Sequence, residues 1–419
     1  MAQKKAMFIV TIPNKQFKEK IQLPASKSES NRVLIIEALA KYQGDLQDYK
    51  IQNLSTARDT KILQAHLQTP ETKLNVFDAG TTMRFLTAFC CITQRSVVLS
   101  GTPRMHERPI GILVDALREL GADINYFEKT GFPPIGIFGF EQKNNRISIE
   151  GNVSSQYISA LLMIAPLLKG GLELTLKNKI SSKPYILMTL ELMKYFGIEY
   201  EWKENLIRVR EGKYQMKNYA IEADWSAASY WYSVVALAEI GTEIFLPFLK
   251  KNSLQGDSII SQIMEFFGVE TDFQVEGIKI KKIREPESDS FSYDFTDCPD
   301  LAQTIVALCV GKNIRLQATG LESLRIKETD RTQALANEVA KFGFAFEPKD
   351  EKTWILFPKN PINQHQTAII NTYDDHRMAM AFAPLAIIQP IGIENETVVE
   401  KSYPNFWNEL QKIAIIVKK

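Results

Sequence analysis

The sequence predicts an α/β chain of two similar domains, each assembled from three copies of one strand–helix unit. Three observations carry that prediction. Short β-branched runs alternate with longer apolar stretches of helical period. Six polar segments of the kind that open helices recur along the chain. Their anchors are evenly spaced, since 80 to 154 is 74 residues, 224 to 300 is 76 and 300 to 374 is 74. Self-similarity at a fixed period is the mark of repeated supersecondary units. The six segments fall into two groups of three, with the break near Tyr219-Ala220-Ile221-Glu222-Ala223. Two domains imply a cleft, and clefts at domain interfaces are preferred ligand sites.

In chain order, the strand-like runs are FIVTIP, SVVLSG, RISIEG, LELTL, LIRVRE, TEIFLP, IKIKKI, IRLQAT and TAIINT, most of them bounded by Gly, Pro or Asn. The helix openings are Ser26-Lys27-Ser28, Gly80-Thr81-Thr82, Ser154-Ser155-Gln156, Asp224-Trp225-Ser226, Asp297-Cys298-Pro299-Asp300 and Asp374-Asp375-His376. Ser, Thr and Asp suit these positions because their side chains satisfy the orphan N–H groups of a first turn.

Composition removes several function classes. The 419 residues are 45% hydrophobic and 24% charged, an ordinary globular balance, so disordered and fibrous classes fall away. Lys plus Arg number 50 against 49 Asp plus Glu, which leaves no global field to gather nucleic acid or an anionic membrane. The start, MAQKKAMFIVTIPNK, has too short an apolar run for a signal-peptide core. The longest apolar stretch, Met378 to Ile388, contains Pro384 and is too short to span a membrane. A cytoplasmic protein is expected. Cys90, Cys91, Cys298 and Cys309 form no repeated C-x-x-C pattern, and His66, His106, His365 and His376 lie too far apart for metal-ligand spacing. Neither a P-loop nor G-x-G-x-x-G occurs, so ATP and NAD lose their main support.

The cations concentrate at the helix openings. PASKSESNR places Lys27, Ser28 and Arg32 at a helix N-terminus, where free N–H groups and the dipole attract anions. DAGTTMR puts Gly80 at a turn, and TPRMHERPI crowds Arg104 and Arg108 into a loop. SSQY and SSKPY supply Ser154, Ser155, Gln156, Ser182, Lys183 and Tyr185, a hydroxyl- and amide-rich set suited to sugar-like hydroxyls and phosphate oxygens. RIKETDR brings Arg325, Lys327 and Arg331 around Glu328 and Asp330, TYDDHRMAM carries His376 and Arg377, and VEKSYP carries Lys401. Arg forks carboxylate and phosphate, and Lys is a mobile point charge. Such a set suits two small polyanions. Its mutual repulsion predicts a protein that is open when free and closes on ligand.

Taken one at a time, these residues have plainer readings. Ser26, Ser28, Ser154 and Asp224 could be helix caps alone, and Lys27, Arg32 or Arg104 could belong to solvated faces. Asp300 could cap the helix beginning at Leu301, Glu328 could pair with Lys327 or Arg331 on a surface turn, and His376 could cap or pack. Cys90 and Cys91, in FLTAFCCI, read as core. The joint order of the segments favours the functional reading.

In that order, PASKSESNR, DAGTTMR, PRMHERPI, SSQYISALL, SSKPY, SLQGD, PDLAQT, RIKETDR, TYDDHRMAM and KSYPNFW resemble the enolpyruvylshikimate-phosphate synthase family, from about Leu23 to Trp407. The resemblance implies two inside-out α/β domains, each of three β-α-β-α-β-β units, with the active site in the interdomain cleft. It implies residues 24–222 as the first domain, mainly for shikimate 3-phosphate, and 1–23 plus 223–419 as the second, with the catalytic carboxylates and much of the phosphoenolpyruvate site. The reaction implied is transfer of the carboxyvinyl group of phosphoenolpyruvate to the 5-hydroxyl of shikimate 3-phosphate, with release of phosphate. Shikimate 3-phosphate would meet Lys27, Ser28, Arg32, Ser154, Ser155, Gln156, Ser182, Tyr185, Asp300 and Lys327. Phosphoenolpyruvate would meet Lys27, Gly80, Arg108, Gln156, Arg331, Arg377 and Lys401. Asp300 is expected as base and Glu328 as acid, with Lys27, Lys327 and His376 completing the catalytic set. No metal or organic cofactor, nucleic acid or membrane is expected, and the chain is expected to be a monomer.

The sequence also departs from the family's usual pattern. Ala25 stands for Gly, Asp78 for Asn, Phe85 follows Arg84, and Ser323 stands where Asn often meets shikimate 3-phosphate. Asp78 would weaken anion binding unless paired with a cation such as Arg84. Two alternatives stand beside the main reading. The sister enzyme acting on UDP-N-acetylglucosamine carries a reactive cysteine in the loop matching Gly101–Arg108, which here has none. A catalytically dead binder of phosphorylated metabolites would lack Asp300 and Glu328, and both are present.

Overall fold

The computed structural model describes residues 7–45, 47–359 and 367–419, so His365 and the first six residues lie outside the described part. The chain divides into two compact units, one made of residues up to Pro24 together with Glu222–Lys419, the other of Ala25–Ile221.

One strand pattern recurs through both. In the Ala25–Ile221 unit, Lys73–Asn75 runs parallel to Val97–Ser100, which pairs antiparallel with Ile135–Phe140, itself antiparallel to Ala122–Tyr126. The same order returns in Arg146–Glu150, Leu172–Lys177, Leu206–Val209 and Tyr200–Lys203. In the other unit it appears as Lys18–Lys20, Glu243–Pro247, Gly277–Lys282 and Val269–Gln274. It appears again as Ser290–Asp294, Arg315–Thr319, Trp354–Pro358 and Phe344–Pro348. The last sheet takes Ala368–Ile370, Ile391–Glu394, Met7–Thr11 and Ile415–Lys418. Among the described residues the sixth copy has only Ile51–Gln52 parallel to Tyr219–Ala220. The β-α-β-α-β-β unit expected from the resemblance is thus present in each unit. Each of the nine β-branched runs named above overlaps a strand.

A parallel pair needs a crossover, usually a helix. Here the crossovers are Gly80–Ile92, Ser155–Ile164, Trp225–Leu237, Ala302–Lys312 and His376–Phe382. All but one residue of Gly80–Ile92 and of Trp225–Leu237 is buried, and all seven of His376–Phe382 are. A helix buried all round is a core helix. The strands instead alternate, as in Arg146–Glu150, where Ile147 and Ile149 face inward and Arg146 and Ser148 face solvent. Helices therefore fill the interior of each unit and sheets cover it, the inside-out arrangement.

The architecture fixes where chemistry sits. Four of these crossover helices begin within eight residues of the first strand of their copy, while Trp225–Leu237 follows Lys18–Lys20 only after the whole Ala25–Ile221 stretch, and the openings of these helices carry motifs. Two of the six expected caps differ. Ala79 precedes the Gly80–Ile92 helix, and no side chain caps it. Cys298, not Asp300, precedes the 3₁₀ turn Pro299–Leu301 that leads into Ala302–Lys312, and no side chain caps it. The Asp300 carboxylate is engaged by arginines instead.

Candidate active site

In the Ala25–Ile221 unit, Ser26 caps the Lys27–Tyr42 helix by accepting from Glu29 N at 3.4 Å. Lys27 and Ser28 are thereby set in the first turn, with Lys27 Nζ 3.2 Å from Asp59 Oδ2. Arg32 is buried. Its Nε donates to Thr189 Oγ1 at 2.7 Å, Nη2 to Ser159 Oγ at 3.0 Å and the Tyr185 carbonyl at 3.3 Å, and Nη1 to the Ser28 carbonyl at 2.9 Å. Burial, partly opposed by Tyr185 and Glu29, pulls its guanidinium down to about 10. Arg32 therefore fastens together the helices that begin at Lys27, Ser155 and Lys183.

The Gly80 turn is shaped around Arg108. A Cβ on Gly80 would stand 2.5 Å from Arg108 Nη2, so a larger residue fits only if Arg108 moves. Arg108 Nη1 donates to the Asp78 carbonyl at 3.4 Å, while its buried Nε has no hydrogen-bond partner among the described residues. The loop after it is held by Arg84 Nη2 and Tyr157 Oη, which donate to the Pro109 carbonyl at 2.7 and 2.5 Å. Gln156 Nε2 donates to Thr81 Oγ1 at 3.1 Å and joins SSQ to GTT, while Ser154 caps the Ser155–Ile164 helix through Gln156 N at 3.4 Å. Ser182, at φ 55°, precedes the Lys183–Tyr195 helix and makes no side-chain cap.

Asp78 is paired with a cation: it takes a two-pronged bond from Arg58 Nη2, at 2.8 and 3.1 Å, while Arg84 donates to the Gly80 and Pro109 carbonyls. Arg104 lies apart on the surface with Glu107 at 2.8 Å, and Arg325 is also exposed. Cys90 and Cys91 are core, with burial pushing the Cys90 thiol up to about 12.

The other unit contains a dense ionic cluster. Asp330 caps Arg331–Ala340 by accepting from Thr332 N and Gln333 N, both at 3.1 Å, which makes Arg331 the first helical residue. Arg331 is 2% exposed and meets three carboxylates: Nε to Asp375 Oδ2 at 2.7 Å, Nη1 to Asp300 Oδ1 at 3.0 Å and Nη2 to Glu328 Oε2 at 3.0 Å. Arg377 Nη2 donates to Asp300 Oδ2 at 2.8 Å. Lys327 Nζ stands 3.9 Å from Asp300 Oδ1, and Lys401 Nζ 3.6 Å from Glu328 Oε1. Burial alone would raise the Asp300 carboxyl, but Arg377, Lys327 and Arg331 outweigh it and hold the carboxyl well below the usual carboxylate range. Burial would lower Arg331, and Asp375, Glu328 and Asp300 more than offset it, so the guanidinium is locked as a cation. His376 is 2% exposed, with Nδ1 3.6 Å from Asp375 Oδ1, and Asp375 in turn caps Arg377 N at 2.9 Å.

The structure thus brings Asp300, Lys327, Glu328, Arg331, His376, Arg377 and Lys401 into one cluster. In the other unit, Arg108 lies against Gly80 and bonds to the Asp78 carbonyl, Gln156 bonds to Thr81, and Arg32 links Ser28 to Tyr185. Sequence reasoning missed Asp375 as the second anchor of Arg331. It also missed Ser226, Tyr230 and Asp257 around Arg377. Asp257 lies in SLQGD, but nothing in that string marks a carboxyl aimed at an arginine 120 residues away. Among the described residues no helix is long and apolar enough to cross a membrane.

Comparison with known proteins agrees with this arrangement. Residues 62–410 match the family described as EPSP synthase (3-phosphoshikimate 1-carboxyvinyltransferase). A protein of Bacteroides fragilis named 3-phosphoshikimate 1-carboxyvinyltransferase is 45% identical over 413 residues, 98% of each chain. One of the same name from Haemophilus influenzae is 34% identical over 428 residues, covering 94% of this chain and 96% of that one. The solved structure of an EPSP synthase from Acinetobacter baumannii superposes with a TM-score of 0.78 at 21% identity, over 99% of this chain and all of that one, a likeness of fold. The chain therefore belongs to the EPSP synthase family, and its function is the enolpyruvyl transfer of the shikimate pathway.

Proposed function

We propose that the reaction proceeds by addition and elimination, with Asp300 as base and Glu328 as acid. In the addition, Asp300 takes the proton of the 5-hydroxyl of shikimate 3-phosphate as that oxygen bonds to C2 of phosphoenolpyruvate, and Glu328 delivers a proton to the methylene carbon. In the elimination, the C2–O bond to phosphate breaks, Glu328 takes a proton back from the new methyl group, and Asp300 gives the proton it took from the hydroxyl to the leaving phosphate, so both carboxyls return to their starting states. The observation that carries this reading is the position of the Asp300 carboxylate between Arg331 and Arg377, with Glu328 bonded to the same Arg331.

A carboxylate held so low is fully ionised, as a base must be, but only weakly basic. Anionic groups arriving at Arg331, Arg377 and Lys327 share those cations and restore basicity to Asp300. The base is therefore armed by substrate. Arg108, Arg331, Arg377 and Lys401 receive the phosphate and carboxylate of phosphoenolpyruvate and stabilise the departing phosphate. Lys27, Ser28, Ser154, Ser155, Gln156, Ser182, Tyr185 and Lys327 receive shikimate 3-phosphate, and Lys27, Gly80 and Gln156 also border phosphoenolpyruvate. Arg32 acts by holding Ser28 and Tyr185 in place. His376, beside Asp375, is a positioning residue for Arg331. The same reading takes the protein as a cytoplasmic monomer acting without a cofactor. Its support is the balanced charge and the reach of arginine and lysine to every carboxylate of the cluster; light scattering tests the monomer.

The test is phosphate release from phosphoenolpyruvate. It is expected to require shikimate 3-phosphate and to fail with UDP-N-acetylglucosamine. Asp300→Ala is expected to lower turnover by roughly 10²–10⁴-fold, the usual worth of a positioned acid or base, while circular dichroism reports an intact fold. Near-normal turnover would remove Asp300 from the mechanism.

A further inference from the structure

Arg377 is held from more than one side. Besides Asp300, its Nη2 donates to the Ser226 hydroxyl at 3.4 Å, and Nη1 donates to Tyr230 Oη at 3.3 Å. Ser226 opens the Trp225–Leu237 helix and donates onward to Asp257 Oδ2. Asp257 sits in the 3₁₀ turn Gly256–Ile259, is 2% exposed, and has no part in the reaction as described. A continuous path therefore runs from a buried carboxyl through one hydroxyl to the arginine that faces Asp300.

The groups around Asp257 set its charge. Asp300 and Asp224 face it with negative charge, Arg377 faces it with positive charge, Ser226 bonds to it, and the Cys298 thiol lies close by. Burial, and then the Asp300 charge, push the carboxyl up to about 7 against the pull of Arg377 and Ser226. It is neutral below that pH and an anion above it.

We propose that Asp257 is a positioning residue which, acting through the Ser226 hydroxyl, sets how much of the Arg377 charge an incoming anionic group meets. The inference rests on the reading that Arg377 receives phosphoenolpyruvate. When Asp257 is neutral, one fewer buried anion draws on Arg377, and the ligand meets more of its charge. When Asp257 is ionised, a second buried anion draws on the same guanidinium and the ligand binds more weakly. By linkage, an anion bound at Arg377 raises the proton affinity of Asp257.

The experiment measures kcat and KM for phosphoenolpyruvate, at saturating shikimate 3-phosphate, from about pH 6 to 9. It uses the full chain, Asp257→Asn and Ser226→Ala. Asparagine keeps an acceptor for the Ser226 hydroxyl, and a melting curve checks each fold. The ratio of the unsubstituted KM to the Asp257→Asn KM cancels the titration of the ligand's own phosphate. It is expected to lie near one at the acid end and to climb to about fivefold at the alkaline end, the low end of common coupling strengths. The change should fall on KM more than on kcat. Ser226→Ala, which removes the hydroxyl between the carboxyl and Arg377 together with a hydrogen bond to the ionised carboxyl, should shrink the step in KM and move it to higher pH. A ratio that stays flat with pH overturns the proposal, and so does a pH step confined to kcat. Should Asp257→Asn not fold, an unmoved step in Ser226→Ala overturns it alone. Failure of the underlying reading looks different, because then the unsubstituted protein releases no phosphate, or Arg377→Gln leaves KM for phosphoenolpyruvate where it was.

Discussion

Gly80 and Arg108 occupy one space, and a single methyl group decides between them. In Gly80→Ala the new Cβ would stand 2.5 to 2.8 Å from the guanidinium atoms, so Arg108 must yield while the helix behind it stays. Hydrogen bonds to charged groups are worth about 1.5–3 kcal/mol, so KM for phosphoenolpyruvate is expected to rise roughly 10- to 100-fold, with a smaller change in kcat. Steady-state kinetics checks this, and an unchanged KM would mean that Arg108 does not touch that substrate. The Arg58–Asp78 pair invites a second test. Arg58 is nearly half exposed, so the pair adds only about 0–1 kcal/mol to stability. Arg58→Ala should therefore barely alter the melting temperature. It should raise KM for phosphoenolpyruvate several-fold, since Asp78 loses this neutralising partner two residues from Gly80, and Asp78→Asn in the same background should reverse the rise. At this scale the sequence exposed the residues whose chemistry is written in a short string, such as Lys327, Glu328 and Arg331 in RIKETDR. It hid Asp257 and Ser226, whose significance lies in an approach across the fold. It called for a cation beside Asp78 but did not single out Arg58, because the string around Asp78 cannot say which arginine will reach it.

Helix openings are where element and site meet. Asp330 binds two backbone N–H groups and the Thr332 hydroxyl, and so fixes the turn that presents Arg331. Asp330→Ala is expected to cost about 1 kcal/mol. Differential scanning calorimetry should show a fall of roughly 2–4 °C for a unit of this size. Activity should fall with it, since Arg331 loses its fixed start. The caps at Ser26, Ser154 and Asp224 were legible because capping is a local act. The β-branched runs were legible because alternation is local too. Lys18–Lys20 gave no such signal: its sequence KEK reads as a charged loop, yet it forms the outer strand of its sheet, where charge discourages further pairing. The all-round burial of Gly80–Ile92 and His376–Phe382 also left no periodic trace, since a helix wrapped by its neighbours has no polar face to alternate with.

Over the whole molecule, the 74- to 76-residue spacing announced duplication, and the structure repeats it as sheets of one pairing order. The sequence called for six copies, but the strands of the one holding Ile51–Gln52 and Tyr219–Ala220 escaped notice, because strands two residues long leave no pattern to read. The two units differ in how the chain builds them. Ala25–Ile221 is one continuous stretch with its own buried helices, so a fragment of residues 25–221 is expected to fold alone, with a cooperative thermal transition and no turnover. A fragment that stays unfolded would show that the unit depends on the rest of the chain. The other unit cannot be tested by a single cut, because its Met7–Thr11 strand lies between Ile391–Glu394 and Ile415–Lys418. That strand leaves the ribosome early, and both of its edges wait for partners encoded about 400 residues later. At roughly 5–20 residues per second the delay is some 20–80 s. Throughout that interval Ala25–Ile221 can mature while an apolar strand synthesised before it stands open. The order of synthesis thus makes the continuous unit the earlier folder and leaves the ionic cluster to assemble after it.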